Sequence, residues 1–271
     1  MIYVITGYLG AGKSLIASQK LIDYAAQGRK VACNYPIDFL PICHDKNSNL
    51  SKASPVILPS IPHSRHLLQL GHGGTHEENA GALVLDEAAQ FLNSRTWNGE
   101  DRQQLINWLL HARKRYWDVF LIIQHESQLD KQIRVSLAEY VVTVRRTDRM
   151  KIPFLPIKMP RLHIAVVRYG LDKNSYVADR WFTRGNEPMK IYNSYQIFNT
   201  DDKQEIVVVQ PAANRLKKPT HINLIPIITA IPKIIIYYIV YLLSPTSLPI
   251  LKRKPLNQLP ININTKNKKS L

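Results

Sequence analysis

The sequence predicts an α/β fold built on a mainly parallel sheet, and three stretches predict it. Each is an apolar, β-prone run that ends in a chemically distinctive residue. Ile2-Tyr3-Val4-Ile5-Thr6 leads into Gly7-Tyr8-Leu9-Gly10-Ala11-Gly12-Lys13-Ser14. Ala82-Leu83-Val84-Leu85 leads into Asp86-Glu87. Val119-Phe120-Leu121-Ile122-Ile123 leads into Gln124. Continuous apolar runs of this length belong to strands buried on both faces, as in parallel sheets covered by helices. Ligands of open α/β sheets bind beyond the carboxyl ends of the strands. Gly7, Asp86 and Gln124 are therefore expected side by side.

The first stretch fits the P-loop pattern G-x-x-x-x-G-K-[ST]. An amphipathic helical pattern follows it, with Leu15, Ile16, Gln19, Leu21, Ile22 and Tyr24. Strand, glycine loop and helix are the context that the motif needs. Glycines let the backbone curl so that its N–H groups meet phosphate oxygens, and the helix N-terminus adds its positive dipole. ATP and Mg²⁺ are the expected cofactors. Gly7, Gly10, Ala11, Gly12, Lys13, Ser14 and Leu15 would form the nucleotide cradle, with Lys13 reaching the β- and γ-phosphates. The Ser14 hydroxyl would ligate Mg²⁺. The apolar run ending in Asp86-Glu87 reads as a Walker B strand. Asp86 would hold Mg²⁺ through its water shell, and Glu87 would orient and deprotonate the attacking water. Gln124 either touches the γ-phosphate or the lytic water, or simply ends its strand.

Between these stretches, Gly28 reads as a helix C-cap and Lys30–Asn34 as a second strand. Residues 36–81 read as a loop-rich insertion with a short helix at Arg65–Leu70. Asp101–Tyr116 has a helical pattern with a basic end, an ordinary dipole complement. Gln128–Ala138 reads as a helix and Tyr140–Val144 as a strand. Arg145, Arg146, Arg149 and Lys151 follow, a basic run expected to face nucleic acid or a neighbouring subunit's nucleotide. Arg161–Tyr169 and Tyr176–Phe182 alternate in the strand manner and predict an appended β-hairpin. These elements give one domain over residues 1–200, followed by a linker at 201–223.

The 271 residues carry a net charge of +16, which points to contact with nucleic acid, acidic lipid headgroups or both. Cys33 and Cys43 make no disulfide framework, and an ATP site implies the reducing cytosol. His44, His63, His66, His72 and His76 near Cys43 match no zinc spacing and read as a polar loop. No cleavable signal peptide is visible. Leu224–Leu251 is apolar with Lys233 as its only charge. Its cleaner part, Ile234–Leu251, is close to the minimum of about 17 residues for a spanning helix. It reads as one transmembrane segment. Pro226, Pro232, Pro245 and Pro249 keep a re-entrant hairpin, or a tail packed on a partner, as alternatives. The polar, basic stretch 252–271 reads as a disordered tail.

The chain resembles the Zot family, the zonula-occludens-toxin-like proteins and the gene I assembly proteins of filamentous phages. The resemblance rests on the P-loop at Met1–Ser14 and on Leu83–Phe91 with Arg95 after it. It also rests on His111–Gln124, on Leu129–Arg134, and on the tyrosine motif Ile191-Tyr192-Asn193-Ser194-Tyr195. In this sequence Trp117 stands where that family usually has glycine. The resemblance implies an additional-strand, catalytic-glutamate P-loop ATPase. It implies a ring homo-oligomer, by family a hexamer, in the host inner membrane with its N-terminal domain cytoplasmic. Phage coat proteins, single-stranded phage DNA or its binding protein, and membrane lipids are the implied partners. In a ring, an arginine can act on a neighbour's γ-phosphate. Arg134 is the leading candidate for that catalytic role, beside Arg113 and Arg145. Two other readings are a soluble P-loop ATPase that packages or transfers DNA, and a toxin-like binding protein suggested by the family's name alone.

Overall fold

In a computed structural model, Met1–Lys217 forms one compact unit and Lys218–Leu271 a second. The structure describes residues 1–92, 99–125, 129, 135, 138–149, 160–170, 175–192 and 205–216. The apolar stretch Leu224–Leu251 and the basic tail lie outside them. Among the described residues no helix is long and apolar enough to cross a membrane.

Among the described residues, the first unit is built on a nine-stranded sheet. Its strands are β1 (Ile2–Thr6), β2 (Val31–Cys33), β3 (Val56–Ile57), β4 (Gly81–Leu85), β5 (Trp117–Ile122), β6 (Tyr140–Arg146), β7 (His163–Tyr169), β8 (Val177–Thr183) and β9 (Val207–Val208). Their order is β8-β7-β6-β1-β5-β4-β2-β3-β9. The six strands from β6 to β3 are parallel, and both margins are antiparallel: β7 and β8 on one side, β9 on the other. The expected hairpin is β7 and β8, added at one margin of the core. It continues the main sheet, with β7 paired to β6 along seven residues.

Alternation divides the core. Leu83, Leu85, Val119 and Leu121 point to one face, where they meet Leu105, Trp108 and Leu109 of α5 (Gly99–Leu110) and Leu67 of α3 (Ser64–Gln69). Ala82, Val84, Phe120 and Ile122 point to the other, against Ile16, Leu21 and Ala25 of α1 (Lys13–Ala26). Every residue of β4 is buried, which explains why this strand reads as an unbroken apolar run. On the α1 side Tyr3 stacks between Phe120 and Tyr140, with ring centroids 4.9 and 5.0 Å apart. Lys20 lies over the Trp181 ring at 4.3 Å and ties α1 to β8.

Three expectations are corrected. Residues 36–81 carry α2 (Asn49–Lys52) and β3 beside α3, which is the short helix expected at Arg65–Leu70. Two residues suffice for β3 because Cys33 and Leu58 continue its pairing (Leu58 N–H to Cys33 O, 2.8 Å). The supposed linker at 201–223 includes β9, which pairs with β3, and a short helical turn at Ala212–Arg215 whose Ala212 is buried. Arg215 holds Asp38 through two bonds of 2.7 Å. The helix expected to reach Tyr116 stops at Leu110 and gives way to a turn at Arg113–Arg115. There Tyr116 takes a left-handed φ of 58°, which redirects the chain into β5.

The glycine-rich run 71–74 has a packing role that its composition concealed. The Trp117 indole is 1% exposed and donates to Gly71 O at 2.9 Å. A Cβ on Gly73 would meet the Trp117 ring at 2.8 Å, as would one on Gly81. The glycines form the slot in which the indole sits. Trp117→Ala is expected to lower unfolding free energy by about 3–5 kcal/mol, the usual cost of emptying an aromatic core position. Urea unfolding of residues 1–217 against the parent checks it.

Candidate nucleotide and metal site

The sheet order sets the geometry of the site. β5 lies between β1 and β4, in register Ile5 to Ile122 and Leu85 to Leu121. The strand ends carrying Gly7, Gln124 and Asp86 therefore form one row. After β1 the chain turns back through Gly7, Gly10 and Gly12, whose φ values are 150°, 70° and 96°. These are values that side chains rarely allow. Space is limiting too: a Cβ on Gly7 would lie 2.6 Å from Val144 O, and one on Gly12 would overlap the His163 ring. The turn delivers α1 with its first residue at Lys13, so Ser14 reaches across β5 and donates to Asp86 Oδ2 at 2.8 Å. Leu15 is buried behind the loop.

Lys13 arcs back over the loop, and its Nζ donates to Gly7 O at 3.0 Å. Burial lowers its pKa, while Asp86 and Glu87 work in the opposite direction. Glu87 takes a left-handed φ of 50°, which turns its side chain away from the strand direction. Its N–H donates to Asp86 Oδ1 at 2.8 Å. Gln124 is exposed, and its Nε2 donates to Glu87 Oε1 at 3.4 Å. The structure thus brings Lys13, Ser14, Asp86, Glu87 and Gln124 together. Arg134 and Arg95 lie outside the described residues. Arg113 ion-pairs with Glu77 at 2.9 Å, beside the amino end of β5 and far from the row of strand ends. Arg145, in β6, is exposed.

Several residues of the site were not singled out from the sequence. Asn34 follows β2 and grips Asp86 on both sides of its peptide: Asp86 N–H to Asn34 Oδ1 at 2.7 Å, Asn34 Nδ2 to Asp86 O at 3.0 Å. The rule that flagged Gln124, a polar group at a strand's carboxyl end, would have flagged Asn34 as well. Tyr192, quoted only within the tyrosine motif, has its hydroxyl in hydrogen-bond contact with Ser14. Burial first, and Asp86 second, keep it protonated. Its ring packs edge-on against Tyr35 at 4.9 Å. His163 is fully buried behind the loop, with Nδ1 2.7 Å from Ala11 O. Nothing in the alternating pattern of β7 distinguished it. Of the basic run, Arg146 and Arg149 turn inward to this chain's own P-loop, at Gly10 O and Leu9 O. Within the basic run these two residues serve this chain's own loop, while Arg145 stays exposed and Lys151 lies outside the described residues.

The donor set suits a hard divalent cation. The Ser14 hydroxyl and the Asp86 carboxylate are adjacent oxygen donors, the usual preference of Mg²⁺. Asp86 is only 5% exposed. Burial raises its pKa, against the Ser14 hydroxyl and the Glu87 N–H, which lower it. A carboxyl held above its ordinary pKa is favoured in the protonated form, so its ionised form costs stability as pH rises through the folded-state pKa. In nucleotide-free protein, Asp86→Asn should therefore melt several degrees higher than the parent at about pH 7. The gap should close at acid pH, below the raised folded-state pKa, where the parent has taken up the proton. Thermal melts at both pH values check the prediction.

The model of the family described as Zonular occludens toxin (Zot) matches residues 1–170. The Gene 1 protein of Escherichia phage If1 is 38% identical over 211 residues, covering 73% of this chain and 59% of that protein. The Gene 1 protein of Enterobacteria phage fd is 36% identical over 213 residues, covering 74% and 61%. The match thus spans about three fifths of the length of these curated relatives. Among solved structures, the N-terminal domain of zonular occludens toxin from Neisseria meningitidis aligns with a TM-score of 0.42 at 16% identity, over 71% of this chain and 98% of that one. The DNA-packaging ATPase B204 of Sulfolobus Turreted Icosahedral Virus aligns with a TM-score of 0.38 at 16% identity, over 56% and 77%. The family model covers more than half of the sequence, and the strand ends form the row of a P-loop fold, so this chain belongs to the Zot family.

Proposed function

We propose that the chain is an ATP hydrolase that drives assembly and extrusion of a filamentous single-stranded DNA phage at the host inner membrane. The observation that carries the hydrolase reading is the 2.8 Å bond between Ser14, in the P-loop, and Asp86, at the end of β4. Two motifs distant in sequence meet at the point where one metal–nucleotide complex needs both. Bound Mg²⁺ would supply charge neutralisation at the phosphates, held by Ser14 and, through water, Asp86. Lys13 exchanges Gly7 O for phosphate oxygens. Glu87 accepts the proton of the attacking water, and Gln124, on the same carboxylate, orients that water. Tyr192 and Asn34 keep Ser14 and Asp86 in place.

The phage role rests on the relatives, which are Gene 1 proteins of phages. In this reading the protein acts as a ring homo-oligomer, by family a hexamer, and Arg134 or Arg145 reaches a neighbour's γ-phosphate. Coat proteins and single-stranded DNA or its binding protein are the substrates of the motor. Leu224–Leu251 spans the membrane once, and the ATPase domain faces the cytosol, where ATP is. This orientation places the basic stretch 252–271 in the periplasm, against the usual retention of cations inside.

Three variants test the reading. Lys13→Ala should abolish hydrolysis and weaken nucleotide binding, because Lys13 meets phosphate charge throughout the reaction. Glu87→Gln should keep binding and lower turnover by about 10²–10⁴-fold, the worth of a positioned base. Hydrolysis by Glu87→Gln at the parent's rate would remove Glu87 from the mechanism. For the membrane, Asn264→Cys in a chain lacking Cys33 and Cys43 should react with an impermeant thiol reagent on intact spheroplasts. Labelling only after lysis would overturn the single span.

A further inference from the structure

Three donors from the β6–β7 limb of the sheet reach three consecutive carbonyls of the P-loop. Arg149 Nη1 donates to Leu9 O at 3.1 Å and Arg146 Nη1 to Gly10 O at 3.2 Å. His163 Nδ1 lies 2.7 Å from Ala11 O. A carbonyl only accepts, so Nδ1 carries the proton and Nε2 does not. Nε2 is buried and has no partner among the described residues. Burial, the largest influence, lowers the His163 pKa below its ordinary value, against the bond to Ala11 O, which raises it, and so favours the neutral ring with its proton on Nδ1. Arg146 is itself aimed by Asp148, which takes its Nε at 3.0 Å and its Nη2 at 2.5 Å.

We propose that Arg146, Arg149 and His163 are positioning residues that hold the P-loop open toward phosphate by clamping the outer side of its backbone. The argument is geometric. In a trans peptide the carbonyl of one residue and the N–H of the next point in opposite directions. Fixing Leu9 O outward turns the Gly10 N–H inward, and fixing Ala11 O outward does the same for Gly12. The middle peptide is pinned on both sides, because the Ala11 N–H donates to Tyr8 O at 3.0 Å while Gly10 O takes Arg146. A glycine-rich loop has the largest conformational entropy to lose on ordering. Its apex shows little internal restraint: Tyr8 and Leu9 are 86% and 82% exposed. The clamp removes that entropy before nucleotide arrives. Gly12 fits the same scheme, because the His163 ring occupies the space that a Cβ would need. The antiparallel margin of the sheet is thus the outer wall of the phosphate site.

The inference rests on the nucleotide reading of the site, and the experiment separates the two. Amide hydrogen exchange over residues 7–14 is measured without nucleotide in the parent, in Arg146→Ala/Arg149→Ala, and in His163→Leu. Binding of a fluorescent ATP analogue and steady-state hydrolysis are measured on the same full-length proteins, with Lys13→Ala as control. Exchange at the Ala11 N–H, which is held to Tyr8 O, should quicken about 10-fold in the double variant, and KM for ATP should rise about 10-fold with kcat little changed, as for lost ground-state preorganisation. Arg149→Lys and His163→Asn, which keep one donor at the same place, should recover most of the effect. A role in folding alone would lower the melting temperature without this pattern of rescue. Unchanged exchange in the folded double variant overturns the clamp whatever the affinity. Quickened exchange in a protein whose parent binds ATP no better than Lys13→Ala keeps the clamp and overturns the nucleotide reading.

Discussion

One requirement governs this fold: groups at the ends of two strands that are not neighbours must touch the same small ligand. β1 and β4 are separated by β5, so their ends lie about 10 Å apart at ordinary strand spacing. The P-loop closes that gap by folding back on itself and starting α1 above β5, and the hydrogen bond from Ser14 to Asp86 is the result. The rest of the domain serves this closure. Glycines make the turn, Asn34 immobilises the Asp86 peptide, and two helical layers bury the strands that carry both ends.

The site also carries strain and unmet charge. Asp86 is a carboxylate in a low-dielectric position, and Glu87 holds a backbone angle that costs free energy in a residue with a Cβ. Neither helps the domain fold. Both make sense where a metal–nucleotide complex compensates for them, which is how stability and activity usually oppose each other in an enzyme site.

What the sequence disclosed and what it hid follow from the same physics. β1, β4 and β5 are buried on both faces, and burial writes itself as apolar runs, so three strands and their terminal residues were legible. β3 and β9 are two residues long and borrow pairing from their surroundings, so no periodicity could announce them. The run Gly71-His72-Gly73-Gly74 looked like a loop because its partner, Trp117, lies more than forty residues away. Asn34 obeys the same strand-end rule as Gln124, in a strand of three residues. His163 and the inward turn of Arg146 and Arg149 depend on which side of an antiparallel margin meets the loop. That is tertiary information that a basic run does not contain.

The far margin of the sheet has a mechanical consequence. There the chain leaves the described domain through β9 and the turn at Ala212–Arg215, secured by two strand pairs, a bond from Val209 N–H to Pro55 O at 2.9 Å, and the Arg215–Asp38 pair. Tension on the chain beyond Leu216 meets this fastening first. β9 adds only two residues of pairing, so this fastening holds less firmly than the longer parallel strands that carry the phosphate loop. The domain therefore has a compliant joint on the side away from its chemistry.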